Sequence, residues 1–256
     1  MLSKGSLPIL EYDSDPGAVL LPNPSGEKFL PIKCAYAFLG DYVGDYAAAH
    51  SLEVVGEYRS MMRLSRVYAA RAGGVPITVC EAPLGAPAAV AVLDWLISRG
   101  VGEVVAIGGC GVLADLPENS IYIPTSAVRD EGTSYHYLPP EREIMLDPDV
   151  ARSLKGTLSR LGMDCGYVKT WTTDGIYRET KAKVTLRRSE GCSVVEMECA
   201  AMAACCRLRG ARFGQILFAQ DSLADLDRHD ARDWGAESFG TAMGLAVAAV
   251  SELRHG

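Results

Sequence analysis

The chain has 256 residues, 48% of them apolar and 22% charged, with a formal net charge of −7. That length and apolar content suit one globular domain, 1–256, whose first 33 residues form a less regular leader. The acidic balance and the lack of any Lys/Arg block exclude an electrostatic nucleic-acid footprint or an anionic-membrane surface, so a small molecule or another protein is the expected partner.

After a Pro/Gly-rich leader, short apolar strands alternate with amphipathic helices, the pattern of an α/β domain. "CAYAFLG" (34–40) reads as a strand, followed by a short helix around 44–52. "VPITVCEA" is the next strand, and "PAAVAVLDWLISRG" is a helix with Pro87 near its start and Gly100 just past its end. "EVVAIGGCG" (103–111) is a strand running into glycines, and "SIYIPTSAV" (120–128) another. Helix "DVARSLKGTLSRLG" leads to strand "GYVKTWTT", then to a helix around 179–188. "SVVEMECAAMAACC" (193–206) joins a strand to a packed helix, "RFGQILFAQ" is the last buried strand, and 235–253 closes the chain as a helix.

Eight scattered cysteines lack Cys-x-x-Cys spacing and stand beside only four histidines, which predicts buried free thiols in a reducing compartment rather than disulfides or a zinc site. The start "MLSKGSLPILEYDSDPG" has too short an apolar run for a secretory signal. No run of the ~18 apolar residues a membrane span requires occurs, so a cytoplasmic location is expected.

Polar residues gather where strands end: Gly40-Asp41, Leu84-Gly85, Gly108 to Gly111, Asp174, Glu196 to Glu198 and Asp221. Open α/β sheets bind ligands beyond the carboxyl ends of their strands, so this set is expected to converge on one pocket. Glu196 and Glu198 pose the sharpest question, because burying an ionised carboxylate without a partner costs several kcal/mol. Asp221 follows a buried strand, where desolvation favours a protonated carboxyl able to donate; a helix cap is the alternative. "DEGTSYHYLPP" has the composition of a loop that stacks on a ligand, or of a solvated loop with its aromatics folded back. Gly109-x-Gly111-x-x-Ala114 imitates a dinucleotide fingerprint, yet "ADLPENS" follows where that motif needs a helix. Gly-x-Ser-x-Gly and Walker sequences are absent, which argues against serine hydrolysis and nucleoside triphosphate hydrolysis.

Together, "VVEMECAAMAA", "TTDGIYRET", "FAQDSLAD" and "PITVCEAPLGAPAAVAVLDWLISRGVGEVVAIGGCG", with "AVRDEGTSYHY" in order between them, resemble the nucleoside phosphorylase family of purine nucleoside phosphorylases, uridine phosphorylases and methylthioadenosine nucleosidases. The resemblance runs from about Gly40 to the C-terminus. It implies a three-layer α/β/α sandwich with a central mixed sheet, no cofactor or metal, inorganic phosphate as co-substrate, and a homodimer or a hexamer of dimers. By motif match Glu198 holds the ribose hydroxyls, Met197 and Cys110 lie beside the sugar, Glu196 lies near the sugar or the base, and Asp221 is the acid that meets the leaving base. Ile176 and Tyr177 flank that base, while Tyr135, His136 and Tyr137 close the pocket.

The phosphate end departs from the family pattern. Gly40 remains, but Gly44 and Ala106 stand where the family has arginines, Gly109 replaces a hydroxyl residue, and Pro87-Ala88 replaces Pro-Ser. Arg63 falls near the position of an arginine lent by a neighbouring subunit, with Arg59 or Arg66 as substitutes; Arg129 and Arg178 are further candidates to compensate. Each arginine–phosphate hydrogen bond is worth about 1.5–3 kcal/mol. The resemblance implies phosphorolysis of a nucleoside to free base and ribose 1-phosphate, whereas the missing arginines favour hydrolysis as the alternative; catalytically silent nucleoside binding is a third. Thr180 and Ala182 replace the uridine-selective Gln-x-Arg, which tilts the expected base towards a purine or an unusual base.

Overall fold

The computed structural model describes residues 2–61 and 63–253, so the extreme ends of the expected 1–256 domain lie outside the description. Ten strands form one mixed sheet: β1 (Lys33–Ala37), β2 (Glu53–Arg59), β3 (Leu64–Ala72), β4 (Val75–Glu81), β5 (Glu103–Val112), β6 (Ile121–Asp130), β7 (Glu143–Met145), β8 (Cys165–Thr173), β9 (Cys192–Glu196) and β10 (Arg212–Ser222). Among the described residues six α-helices accompany them: α1 (Tyr42–Ala49), α2 (Ala86–Ser98), α3 (Pro148–Arg160), α4 (Lys181–Ser189), α5 (Cys199–Arg209) and α6 (Ala236–Ser251). Strands β2, β3 and β7 have no counterpart among the sequence-predicted elements; β2 is exposed or half-exposed throughout, so its apolar residues show no period of two.

Successive side chains of a strand face opposite ways, and the core divides accordingly. Cys34 and Tyr36 of β1 and Val104 and Ala106 of β5 pack with α2 and α5 on one face. Ala35 and Ala37, Val105 and Ile107 pack with α1, α3 and α6 on the other. The result is the three-layer α/β/α sandwich. All eight cysteines are buried and free, as their spacing implies. Among the described residues no helix is long and apolar enough to cross a membrane, and no cluster of His, Cys, Asp and Glu is arranged to hold a metal ion.

The sheet order is β10-β6-β8-β9-β5-β1-β4-β3-β2, and β10 also pairs with β5. Strands β5, β9, β8, β6 and β10 therefore close on themselves as a ring, while β1 to β4 extend from it. At the carboxyl end of the ring β5 runs parallel to β10 and antiparallel to β9, which brings Gly111 beside Val195 and Cys110 beside Ala219.

Candidate active site

A cleft opens at this end of the ring, and a β-bulge aims two of its side chains. Strand β10 pairs Ala219 with Cys110 and then Ser222 with Val112, so Gln220 and Asp221 together stand opposite the single residue Gly111. Such an extra residue bends a strand and redirects its side chains. Both Gln220 and Asp221 line the cleft, with Leu84, Gly109 to Gly111, Ile176, Glu179, Val195 to Glu198, Leu223 and Trp234. Glycines leave room for them: a Cβ at Gly109 would fall 1.9 Å from Gln220 Cδ and displace that side chain, and one at Gly111 would come within 3.1 Å of Asp221 Oδ1.

Glu196 ends β9 and is 6% exposed. The hydroxyls of Thr170 and Thr172 on β8 donate to its Oε1 at 3.1 and 2.6 Å, while the amides of Glu198 and Cys199 donate to Oε2 at 2.7 and 2.6 Å. Those amides open α5 and have no intrahelical partner, so Glu196 satisfies them where the helix end is electropositive. All four donors are internal, so the carboxyl of Glu196 is fixed within the fold at the edge of the cleft.

Glu198 lies two residues on and is 5% exposed. Its Oε1 accepts the Gly85 amide at 2.5 Å, just before α2, where Gly85 adopts a positive φ of 91° that favours glycine. Burial, and then the charge of Glu196, push the Glu198 carboxyl up to about 8 against the opposing amides of Gly85 and Met197. Burial raises Glu196 as well, against its four donors.

At the other side of the cleft Asp221 Oδ2 meets His229 Nε2 at 2.7 Å, and Oδ1 lies over Gly111. Glu179 joins them. Burial first, and the charge of Asp221 second, raise its carboxyl to about 7, while His229 and Lys183 pull the other way. Thus the lining holds four carboxyl groups and, among its residues, no arginine or lysine. Size does not select this site: the cleft measures about 130 Å³, against 490 Å³ for a groove beside the leader. Its chemistry does, because paired buried acids with raised proton affinities mark functional sites.

Of the residues singled out in the sequence, Leu84, Gly109, Cys110, Gly111, Ile176, Glu196, Met197, Glu198 and Asp221 share this cleft. The others do not. Tyr177 is 95% exposed and turned to solvent. Gly40 follows β1 with a positive φ and is not among the lining residues, and Arg63 is paired with Glu81 at 2.5 Å. Arg59 is paired with Glu57 at 3.0 Å on the surface. Tyr135, His136 and Tyr137 form a 3-10 turn and its end on another part of the surface. The reason is Arg129, buried on β6: its guanidinium donates to Ser134 Oγ and the Pro139 carbonyl and lies over the Tyr135 ring at 4.5 Å, which folds this loop back on the body. The Tyr137 hydroxyl donates to Asp94 at 3.2 Å, and His136 and Tyr137 line the larger groove. Arg129 is consequently spent on the loop. Sequence reasoning missed Gln220, Glu179, Trp234 and His229; the first two lie inside motifs that were singled out, but nothing in their spacing announces a bulge or a returning loop.

A family model described as "Phosphorylase superfamily" matches residues 35–253. The chain belongs to the phosphorylase superfamily. Among relatives by sequence, a guanosine phosphorylase of Halorubrum lacusprofundi is 28% identical over 151 residues, covering 59% of this chain and 63% of that protein. The chain thus spans less than two thirds of that relative's length, and the same holds for the uridine phosphorylase of Escherichia coli, at 62%. Two solved superfamily-like structures share the fold: a purine nucleoside phosphorylase from Toxoplasma gondii in complex with immucillin-H, with a TM-score of 0.72 at 22% identity over 87% of this chain and 91% of that one, and an AMP nucleosidase from Bacteroides thetaiotaomicron, with a TM-score of 0.68 at 22% identity over 86% and 88%.

Proposed function

We propose that this superfamily member cleaves the N-glycosidic bond of a nucleoside and that water, rather than phosphate, is the acceptor. The observation that carries the choice is the all-acidic cleft. The lining offers a phosphate dianion no arginine or lysine to neutralise it, and Gln220 fills the volume over Gly109 where a hydroxyl side chain would otherwise stand.

In the proposed reaction Glu198 accepts hydrogen bonds from the ribose hydroxyls, and the buried carboxyl pair favours the positive charge that develops on the sugar as the C1′–N bond breaks. The bonding pair leaves with the base, and Asp221 donates a proton to the departing base nitrogen. Water adds to C1′ and releases one proton. Ile176, Leu223 and Trp234 offer apolar surface for the base, in keeping with a purine. No cofactor or metal enters this scheme. Assembly as a homo-oligomer belongs to the same proposal, since Leu84, Ile176 and Tyr177 are exposed apolar side chains at or near the cleft. A second reading, phosphorolysis, is favoured by the phosphorylases among the relatives.

The test incubates the protein with a panel of purine and pyrimidine nucleosides, with and without inorganic phosphate, and follows free base, ribose and ribose 1-phosphate. Base and ribose formed without phosphate are the expected products. An absolute requirement for phosphate sinks the water reading and restores phosphorolysis. Binding without release of any base leaves a nucleoside-binding protein.

A further inference from the structure

The segment after β10 returns along it. Ser222 and Asp230 exchange both backbone hydrogen bonds, at 2.8 and 3.0 Å, as an isolated antiparallel bridge. Residues adjacent to a bridged pair project to the opposite face from the pair itself, so Asp221 and His229 share a face as diagonal neighbours. That geometry delivers His229 Nε2 to Asp221 Oδ2 at 2.7 Å while Oδ1 stays over Gly111 in the cleft. The far end of the segment is pinned: the amides of Asp233 and Gly235 donate to Glu118 Oε1 at 2.8 and 3.1 Å, and Arg232 donates to the Leu116 carbonyl. His229 is thus held in place, yet its side chain is 49% exposed whereas that of Asp221 is 16% exposed. It bridges bulk water and an enclosed acid.

We infer that His229 is the positioning residue and proton entry for Asp221: it fixes Oδ2, leaves Oδ1 for the base, and returns a proton from solvent after each turnover. This rests on the reading of Asp221 as the acid. The proton balance closes. Asp221 loses its proton to the base, the water that adds to C1′ releases one proton to solvent, and His229 takes one from solvent and passes it to the Asp221 carboxylate. The charged surroundings suit the task. Asp221 faces the imidazole directly, Glu179 lies across the same end of the cleft with Lys183 of α4 beside it, and Arg228 and Asp230 flank His229 on its own segment. The Trp234 ring covers the imidazole from one side, with centroids 5.9 Å apart.

The experiment compares the wild-type protein with His229→Gln and His229→Phe, measuring kcat and KM for base release from pH 5.5 to 8.5, with and without added imidazole. Glutamine can still donate to Oδ2 but cannot shuttle a proton. Proton transfer by one positioned side chain contributes ~10²–10⁴-fold, and since Asp221 remains to be recharged slowly by water, His229→Gln is expected to lose roughly 10–100-fold in kcat with KM nearly unchanged. The phenylalanine variant is expected to lose more, and imidazole to restore both in part because the site is open to solvent. A His229→Gln profile that superimposes on the wild type overturns the inference, as does a loss that imidazole leaves untouched. Those outcomes leave the proposed function standing, because the wild type still releases base; a wild type that releases none from any nucleoside ends both.

Discussion

The two ends of the cleft are built in opposite ways. At one, Glu196 and Glu198 sit at a strand-to-helix junction in the interior, fixed by two threonine hydroxyls and by main-chain amides. At the other, Gln220 and Asp221 occupy a bulge whose partners come from a surface loop and a single half-exposed histidine. The first end is rigid and short of water, suited to hold a sugar and a developing charge. The second exchanges protons with solvent, suited to the leaving base. Binding and proton transfer are thereby separated, and substitutions should divide along the same line.

The largest effect is expected from Asp221→Asn. The amide keeps the shape and the contact with His229 but has no proton to give at useful cost, so kcat should fall ~10²–10⁴-fold while nucleoside affinity changes little. Single-turnover base release beside equilibrium binding checks this; near-normal turnover would remove Asp221 from the reaction and with it the contrast between the ends. Glu198→Gln should fail in both measurements, because the same carboxylate meets the sugar before and during bond cleavage.

Glu198 also predicts a pH signature in stability. Its folded-state proton affinity, near pH 8, exceeds that of an ordinary carboxyl, so the folded chain binds more protons than the unfolded one between about pH 4.5 and pH 8, and stability drains away as pH rises through that window. Glutamine carries no such slope. Glu198→Gln should therefore gain on the wild type by roughly 1–3 kcal/mol in going from pH 5 to pH 8, read from denaturant midpoints at the two pH values. An unchanged difference between them would mean that the carboxyl is ionised or neutral alike in both states. Glu196→Ala should cost on the order of 3 kcal/mol in stability, since it strips partners from two hydroxyls and two amides in the interior.

The two ends differ as much in how they can be read from the chain. The glutamates are legible because an apolar strand and an Ala/Cys helix flank them, so any carboxylate between must have a task. The alternation of strands and helices likewise fixes most of the sheet. Strands β2 and β3 escape because they are half-exposed and lack a clean period. His229 escapes for a different reason: it lies eight residues beyond Asp221 in a charged stretch, "DLDRHDARD", that reads as solvated loop, and only the Ser222–Asp230 bridge turns it inward. The aromatic loop at 135–137 misleads in the opposite sense. Its composition suits a ligand, but buried Arg129 has the stronger claim on it.

The smallest change to the molecule tests the acceptor. Gly109 lies on β5 beneath the Gln220 amide, and its single hydrogen is what lets that amide stay there. Gly109→Ser would place a Cβ 1.9 Å from Gln220 Cδ and so expel the amide from its seat. The clash is with the end of a flexible side chain and not with backbone, so the stability cost should be small, within about 1 kcal/mol. If Gln220 is what fills the phosphate position, the variant regains a hydroxyl there and loses the plug at once. Phosphate, without effect on the wild type, should then compete with or accelerate base release, and ribose 1-phosphate should become detectable beside ribose. If phosphate is as inert towards the variant as towards the wild type, the lack of an arginine or lysine in the lining is enough to exclude the anion. The missing cations, and not the packing over Gly109, would then set the acceptor.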